Sequence, residues 1–229
     1  VHKQRLRTRL SKEKLTMSAA RERILGRVRD AVSGGREDGW RAELEQRIDR
    51  VPPHIRPKLP GDLFAHFREK LAQGGGTFEQ CDTPGEAPAA ISAYLQTNGV
   101  VAKIRVAPAL QEMAWGEGLE ASYGNTRGDH LVSVTPVFCA VAETGSVVLL
   151  SSDKSPTSLN FLPDVHIVIV DKDQLVSHIE DVWLKLRALG EIPRTVNFIT
   201  GPSKTADVEQ TLQIGAHGPR DLHVILIAK

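Results

Sequence analysis

Residues 199–226 read ITGPSKTADVEQTLQIGAHGPRDLHVIL. Apolar, strand-sized runs frame this stretch. Thr195 to Thr200 carries Val196, Phe198 and Ile199, and the closing run extends from Leu222 to Ile227. Between them stand Gly201-Pro202-Ser203-Lys204-Thr205-Ala206-Asp207 and, further on, Gly215-Ala216-His217-Gly218-Pro219-Arg220. Pro and Gly break regular structure there, while Ser and Thr supply hydroxyls that are cheap to orient. Loops after strand ends are where α/β proteins place their chemistry, so the site is sought here first, at the carboxyl ends of a sheet.

Upstream the same rhythm continues. Thr77 to Cys81, Val100 to Val106, Leu131 to Phe138, Cys139 to Leu150 and Val165 to Val170 all read as strands. Helical patterns alternate with them. Asp62 caps one carrying Leu63, Phe64, Phe67 and Leu71, stopped by Gly74-Gly75-Gly76. Pro84 opens another with Ile91, Tyr94 and Leu95, closed by Asn98-Gly99. Ala109 to Trp115 reads as helical, and Asp207 to Gln213 as a short helix. Asp173 is expected to start a long helix ending at Gly190. Strands apolar on both faces, alternating with helices, predict a mostly parallel sheet covered on both sides, an α/β/α domain over residues 62–229.

The N-terminal part differs. Residues 17–61 read as a helical arm and Pro-rich linker: Ile24, Leu25, Val28 and Val32 form one stripe up to Gly34-Gly35, and Trp40, Leu44 and Ile48 another. Pro52, Pro53, Pro57 and Pro60 then exclude helix. Residues 1–16 hold six Lys or Arg against Glu13 alone, a local excess that could attract nucleic acid or an anionic membrane. The expectation is instead a disordered extension, with Met17-Ser18 where a start would fall and no nucleic-acid partner.

Over 229 residues, 41% are apolar and 25% charged, ordinary values for a globular chain. No apolar run approaches the ~18 residues of a membrane span. Cys81 and Cys139 stand far apart, outside any C-x-x-C pair, which argues against a disulfide framework, a structural zinc or a protein-ligated cluster. No metal site and no cofactor are expected, and a reducing, cytoplasmic setting fits best.

Several motifs lose their sharper meaning on inspection. Ser203 precedes Lys204, and Phe198 occupies the first glycine position, so Gly201 to Thr205 is no P-loop. Its hydroxyls, cation and N–H groups could still hold an anion. Gly116-Glu117-Gly118 follows a helical pattern instead of a strand and lacks the context of a dinucleotide fingerprint. Glu143-Thr144-Gly145-Ser146 interrupts two apolar runs. Either Gly145 tops a hairpin there, or the lone Glu143 serves as base, nucleophile or hydroxyl anchor, and the two are compatible. His166 and His223 read as core residues, and His217, between glycines beside Arg220, as the functional histidine. Asp129-His130 lacks companions at metal-ligand spacing.

With these residues laid out, the chain resembles the lactate utilisation protein C family, the LUD-domain proteins, over about residues 17–229. The resemblance rests on Ala142 to Ser146, on Asn160-Phe161-Leu162-Pro163 with Val165-His166-Ile167, on Gly201 to Asp207, and on His217 to Arg220 with Leu222-His223-Val224. It implies a fold related to the sugar-phosphate isomerase and CoA-transferase group. It also implies a role in L-lactate oxidation to pyruvate, alongside iron–sulfur subunits that carry the redox centres. The expected function is then a non-redox component that binds a small anionic molecule or those partners. The alternative is a free-standing enzyme acting on a phosphorylated or CoA-linked acid. Candidate catalytic residues are Glu143 and His217. Candidate ligand-binding residues are Thr144, Gly145, Ser146, Asn160, Gly201, Ser203, Lys204, Thr205, Asp207, Gly218 and Arg220.

Deleting residues 1–16 is expected to leave the melting temperature unchanged. Val1, Leu6, Leu10 and Leu15 are too few large apolar groups to dock against the chain's entropy. A scanning-calorimetry drop of several degrees would show that the segment packs.

Overall fold

Alternating strands and helices from Thr77 onward build the sheet that the apolar runs predict. The computed structural model describes residues 19–32, 39–49, 55–206 and 212–228. The extension at 1–16, the Gly34-Gly35 stop, Val51 to His54 and Asp207 lie outside the described residues. The chain divides into two units after Ile55. In the first, residues 19–32 form helix α1 and Trp40–Asp49 helix α2.

The second unit is organised on a six-stranded sheet. Its strands are β1 (Thr77–Cys81), β2 (Lys103–Val106), β3 (Glu120–Tyr123), β4 (Val132–Pro136), β7 (Val165–Asp171) and β12 (Asp221–Ile227). They lie in the order β1-β12-β7-β4-β2-β3, every neighbouring pair parallel. Helices cover both faces, giving the expected three-layer α/β/α arrangement. Helix α4 (Ala87–Thr97) lays Ile91 and Leu95 on one face, against Ile104, Val134, Ile167 and Ile225. On the other face, α3 (Leu63–Gly74) lays Phe67 and Leu71 against Val168, Val224 and Leu226. Asp62 Oδ1 accepts the Phe64 and Ala65 N–H groups at 3.0 Å, so the predicted cap starts α3.

A second, smaller sheet shares the α3 side. It comprises β5 (Cys139–Val141), β6 (Ser146–Leu150), β8 (Leu175–Val176) and β9 (Val196–Ile199), in the order β8-β5-β6-β9. Val147 and Leu149 face the six-stranded sheet, while Cys139, Val141 and Val148 face helix α6 (Ile179–Ala188) through Val182 and Leu186. Helix α5 (Ser158–Phe161) and the hairpin of β10 (Lys204–Ala206) with β11 (Leu212–Ile214) complete the element list.

Three expectations are corrected here. The helix expected from Asp173 starts at Ile179, because Leu175 and Val176 pair with Ala140 and Val141. Asp181 Oδ2, not Asp173, accepts the N-cap His178 N–H, at 2.9 Å. Ala109 to Trp115 contributes only one 3-10 turn, at Pro108–Leu110. Leu212 and Gln213, expected in a helix, pair with Ala206 and Thr205 as a strand.

His166 and His223 are core residues. His166 sits on β7 with Nε2 2.8 Å from Thr135 Oγ1, and burial pushes its pKa down to about 3. His223 has Nδ1 2.8 Å from Thr77 Oγ1 and stacks on Tyr94, ring centroids 3.8 Å apart, and burial lowers its pKa to about 4. An unfolded imidazole titrates near ~6.5, so below that pH the unfolded chain binds more protons than the folded one. Stability is therefore expected to be flat above neutrality and to fall as the pH drops below ~6.5, by up to ~1.4 kcal/mol per pH unit for each histidine. Urea midpoints at pH 7 and pH 5 check this, with a shallower fall expected in His223→Gln. Equal midpoints would show that the imidazoles do not stay neutral in the fold.

Candidate ligand-binding site

Two close backbone approaches position the site. Gly145 turns the β5–β6 hairpin at φ +68°, its N–H donating to Val141 O at 2.9 Å. A Cβ there would strike the backbone of Lys70 and Leu71 on α3. Gly201, at φ +98°, lies so near the end of α3 that its Cβ would stand 2.5 Å from Gly74 O. Both positions therefore require glycine twice over, for conformation and for space. Lys204 Nζ donates to the same Gly74 carbonyl at 2.7 Å, so its ammonium caps the negative end of α3.

Beyond this contact a cavity of about 340 Å³ opens among Asn160 and Phe161, Phe198 to Ser203, and His217 to Pro219. Backbone bonds hold its walls: Ser203 N–H donates to Pro219 O at 2.8 Å, and Gly215 N–H to Ser203 O at 2.9 Å. Gly218 packs on Ser203, where a Cβ would meet the serine's Cβ at 3.4 Å. The expected location is corrected. Asn160-Phe161 leads into β7 and His217 to Pro219 leads into β12, so the cavity lies at the amino edge of the parallel sheet. Thr200 does follow a strand, but β9 belongs to the smaller sheet, to which the carboxyl-end rule for parallel strands does not apply.

Of the predicted residues, Asn160, Gly201, Ser203, His217 and Gly218 line this cavity. Glu143 does not. Its Oε2 lies 3.2 Å from His178 Nδ1, both side chains mostly buried at 25% and 12% exposure, and its N–H donates to Ser177 O at 3.0 Å. Glu143 and Lys204 thus serve separate hydrogen-bonding environments, and the single cleft expected to gather them is corrected to a cavity beside a turn. Thr205 pairs with Gln213 in the β10–β11 hairpin, and Arg220 covers Gly215 with its side chain exposed. A chain of hydroxyls joins the turn to the cavity. Thr144 Oγ1 lies 2.7 Å from Ser146 Oγ, which lies 2.6 Å from Thr200 Oγ1 in the cavity wall.

Sequence reasoning missed Thr200 and His178. Thr200 was read as a strand end, and His178 gives no local signal because its partner stands 35 residues away. Asp129 and His130 bond one another at 2.9 Å. The Arg127 N–H and the Thr126 hydroxyl, together with His130, hold the Asp129 carboxyl far below the usual range.

The wall's main polar feature is Asn160. The residue is 1% exposed, yet neither its Nδ2 nor its Oδ1 has a hydrogen-bond partner. Buried polar atoms are satisfied in at least ~90% of cases, so an amide orphaned at both ends beside a cavity is a feature the fold carries at a cost.

A family model described as the LUD domain matches residues 128–227, which contain all these cavity residues. An uncharacterized protein of Neisseria meningitidis serogroup B is 41% identical over 91 residues, 39% of each chain. Lactate utilization protein C of Geobacillus kaustophilus is 30% identical over 167 residues, 70% of this chain and 66% of that one. This chain carries a LUD domain over residues 128–227. The Geobacillus thermodenitrificans protein of the same name is 29% identical over 85% of this chain and 81% of its own length. The chain thus spans less than two thirds of the Neisseria and Geobacillus kaustophilus relatives. A crystal structure of a DUF162 family protein from Deinococcus radiodurans shares the LUD fold at TM-score 0.57 and 22% identity, over 75% of this chain and 99% of that one.

Gly145→Ala is expected to destabilise this LUD protein by about 2 kcal/mol or more, since backbone of α3 must move and φ is left-handed. That corresponds to a melting temperature lower by roughly 4–8 °C. A shift under one degree would show that the turn does not press on α3.

Proposed function

We propose that this LUD-domain protein is a non-redox component of lactate utilisation, and that it binds a small carboxylate in the cavity beside Asn160. The cavity carries the reading: Asn160 stands in its wall with a buried amide that has no protein partner. Ser203 and His217 supply the remaining polar wall, with Gly201 and Gly218 keeping the backbone close. Phe161 and Pro219 provide the apolar part, the usual composition of a small-molecule site. Relatives named lactate utilization protein C support the pathway assignment.

Redox chemistry falls to partner iron–sulfur subunits in this reading. Cys81 and Cys139 are both buried, and burial raises the Cys139 thiol to about 11 and pushes Cys81 up as well. Neither thiol is poised to become the thiolate that ligates a cluster. Glu143 acts through position: with Thr144 and Ser146 it shapes the turn whose hydroxyl chain reaches Thr200. Lys204 holds the end of α3 and contributes to the site by fixing the Gly201 loop.

Asn160→Leu is the decisive variant. Titration calorimetry with L-lactate is expected to show affinity reduced at least about tenfold, the loss of one to two buried hydrogen bonds. The melting temperature should hold or rise, since an unpaired buried amide is removed. Lys204→Met should weaken binding less than Asn160→Leu, as the lysine acts only through the Gly201 loop it fixes. Undiminished binding in Asn160→Leu would sink the assignment of the cavity.

A further inference from the structure

Helix α6 turns Val182 and Leu186 into the core and leaves an apolar seam on its outer side. Glu180, Trp183, Leu184 and Arg187 follow one another at i, i+3, i+4 and i+7, so they lie along one outward stripe. Trp183 is 45% exposed and Leu184 55%, with Ile179 exposed on one flank and Ala188 on the other. Leu189 and Ile192 continue the exposed apolar surface past the carboxyl end of the helix. Large apolar side chains gathered in one patch around a tryptophan mark an interaction surface, where isolated ones would not.

The charges on the stripe indicate what covers it. Glu180 and Arg187 close its two ends with opposite sign, and neither has an ion-pair partner among the described residues. Asp181, on the flank, is already held by Arg56 at 2.8 Å. Two copies of the stripe packed antiparallel, about an axis between Trp183 and Leu184, set each Trp183 against the other copy's Leu184. The same operation sets each Glu180 against the other copy's Arg187. A parallel alignment would instead oppose like charges. The stripe is thus complementary to itself in the antiparallel sense, which is what an isologous two-fold contact demands. We propose that the outer face of α6 is the interface of a two-fold symmetric dimer, seated on Trp183 and Leu184 and flanked by two Glu180–Arg187 ion pairs. This interface is independent of the carboxylate-binding reading. Trp183 also packs on Phe198, ring centroids 5.8 Å apart, and Phe198 stands in the cavity wall, so the interface lies one side chain from the cavity.

The test is sedimentation velocity of the full chain across the micromolar range, with circular dichroism and melting to confirm the fold of each variant. The wild type is expected to sediment as a dimer. Leu184→Glu puts a carboxylate at the centre of the seam and should raise the dimer dissociation constant at least about hundredfold. Glu180→Arg and Arg187→Glu should each raise it at least about tenfold, because each sets like charges face to face twice. The double variant Glu180→Arg/Arg187→Glu restores opposite charges and should return the constant to within about threefold of the wild type. Both charges also suit the dipole of their own helix. If that were their only role, the double variant would dimerise no better than either single one, and the proposed pairing would be overturned. A wild type that stays monomeric throughout would overturn the proposal and leave the face to a different protein. A dimer indifferent to Leu184→Glu would overturn it too, since another surface would then join the copies.

Discussion

The contact between the end of α3 and the loop after β9 governs the site. Gly74 and Gly201 meet backbone to backbone, with the Gly74 carbonyl near Gly201 and the Thr200 carbonyl 3.1 Å from where a Gly74 Cβ would stand. The end of α3 turns through Gly75, whose N–H donates to Ala72 O at 2.9 Å, and Gly76 N–H returns to Leu71 O at 3.0 Å. Those bonds satisfy orphan carbonyls of the helix, and Lys204 takes the one at Gly74. The helix end is thus completed by the loop that also walls the cavity. Moving the loop would uncap the helix, so the cavity inherits its rigidity from α3, and α3 is held by Phe67 and Leu71 in the core.

This arrangement explains why the residues that looked most chemical are not all in the cavity. A lysine beside a glycine-rich loop reads as an anion anchor, but here a helix C-terminus competes for it and supplies a fixed carbonyl. A lone glutamate between apolar runs reads as a base, and it is indeed mostly buried, but His178 pairs with it from the amino end of α6. The structure uses these charges to fix backbone, and among the described residues His217 is the one titratable side chain in the cavity wall.

Legibility in the sequence followed burial. β7 and β12 announce themselves because central parallel strands are covered on both faces, giving Val165 to Val170 and Leu222 to Ile227 apolar runs broken only by His166 and His223. α3 and α4 were readable from their caps and stripes. β3 at the sheet edge, with Glu120, Ala121, Ser122 and Tyr123, has no such pattern, and two-residue β8 is defined only by pairing with β5. The smaller sheet could not be foreseen, since its strands have the same apolar content as those of the larger one. Which sheet β9 joins is a tertiary fact, and the expected edge of the site turned on it. Asn160 was legible only through the Asn160-Phe161-Leu162-Pro163 block of the family resemblance, and its burial without partners is a tertiary fact.

The hydroxyl chain adds a constraint of its own. Ser146 has one proton and contacts two hydroxyls, so it donates to at most one of them and accepts from at least one. If the chain runs from Thr200 toward Thr144, Thr200 spends its proton inward and offers only lone pairs to the cavity. If it runs from Thr144 toward Thr200, the Thr200 proton is free to donate to a ligand. An anion in the cavity interacts favourably only with the second arrangement. In the carboxylate-binding reading, an anion there would favour the arrangement that starts at Thr144, next to the Glu143–His178 pair. The turn, the loop and the helix end form one hydrogen-bonded support, in which Glu143 and Lys204 fix backbone around the cavity without lining it.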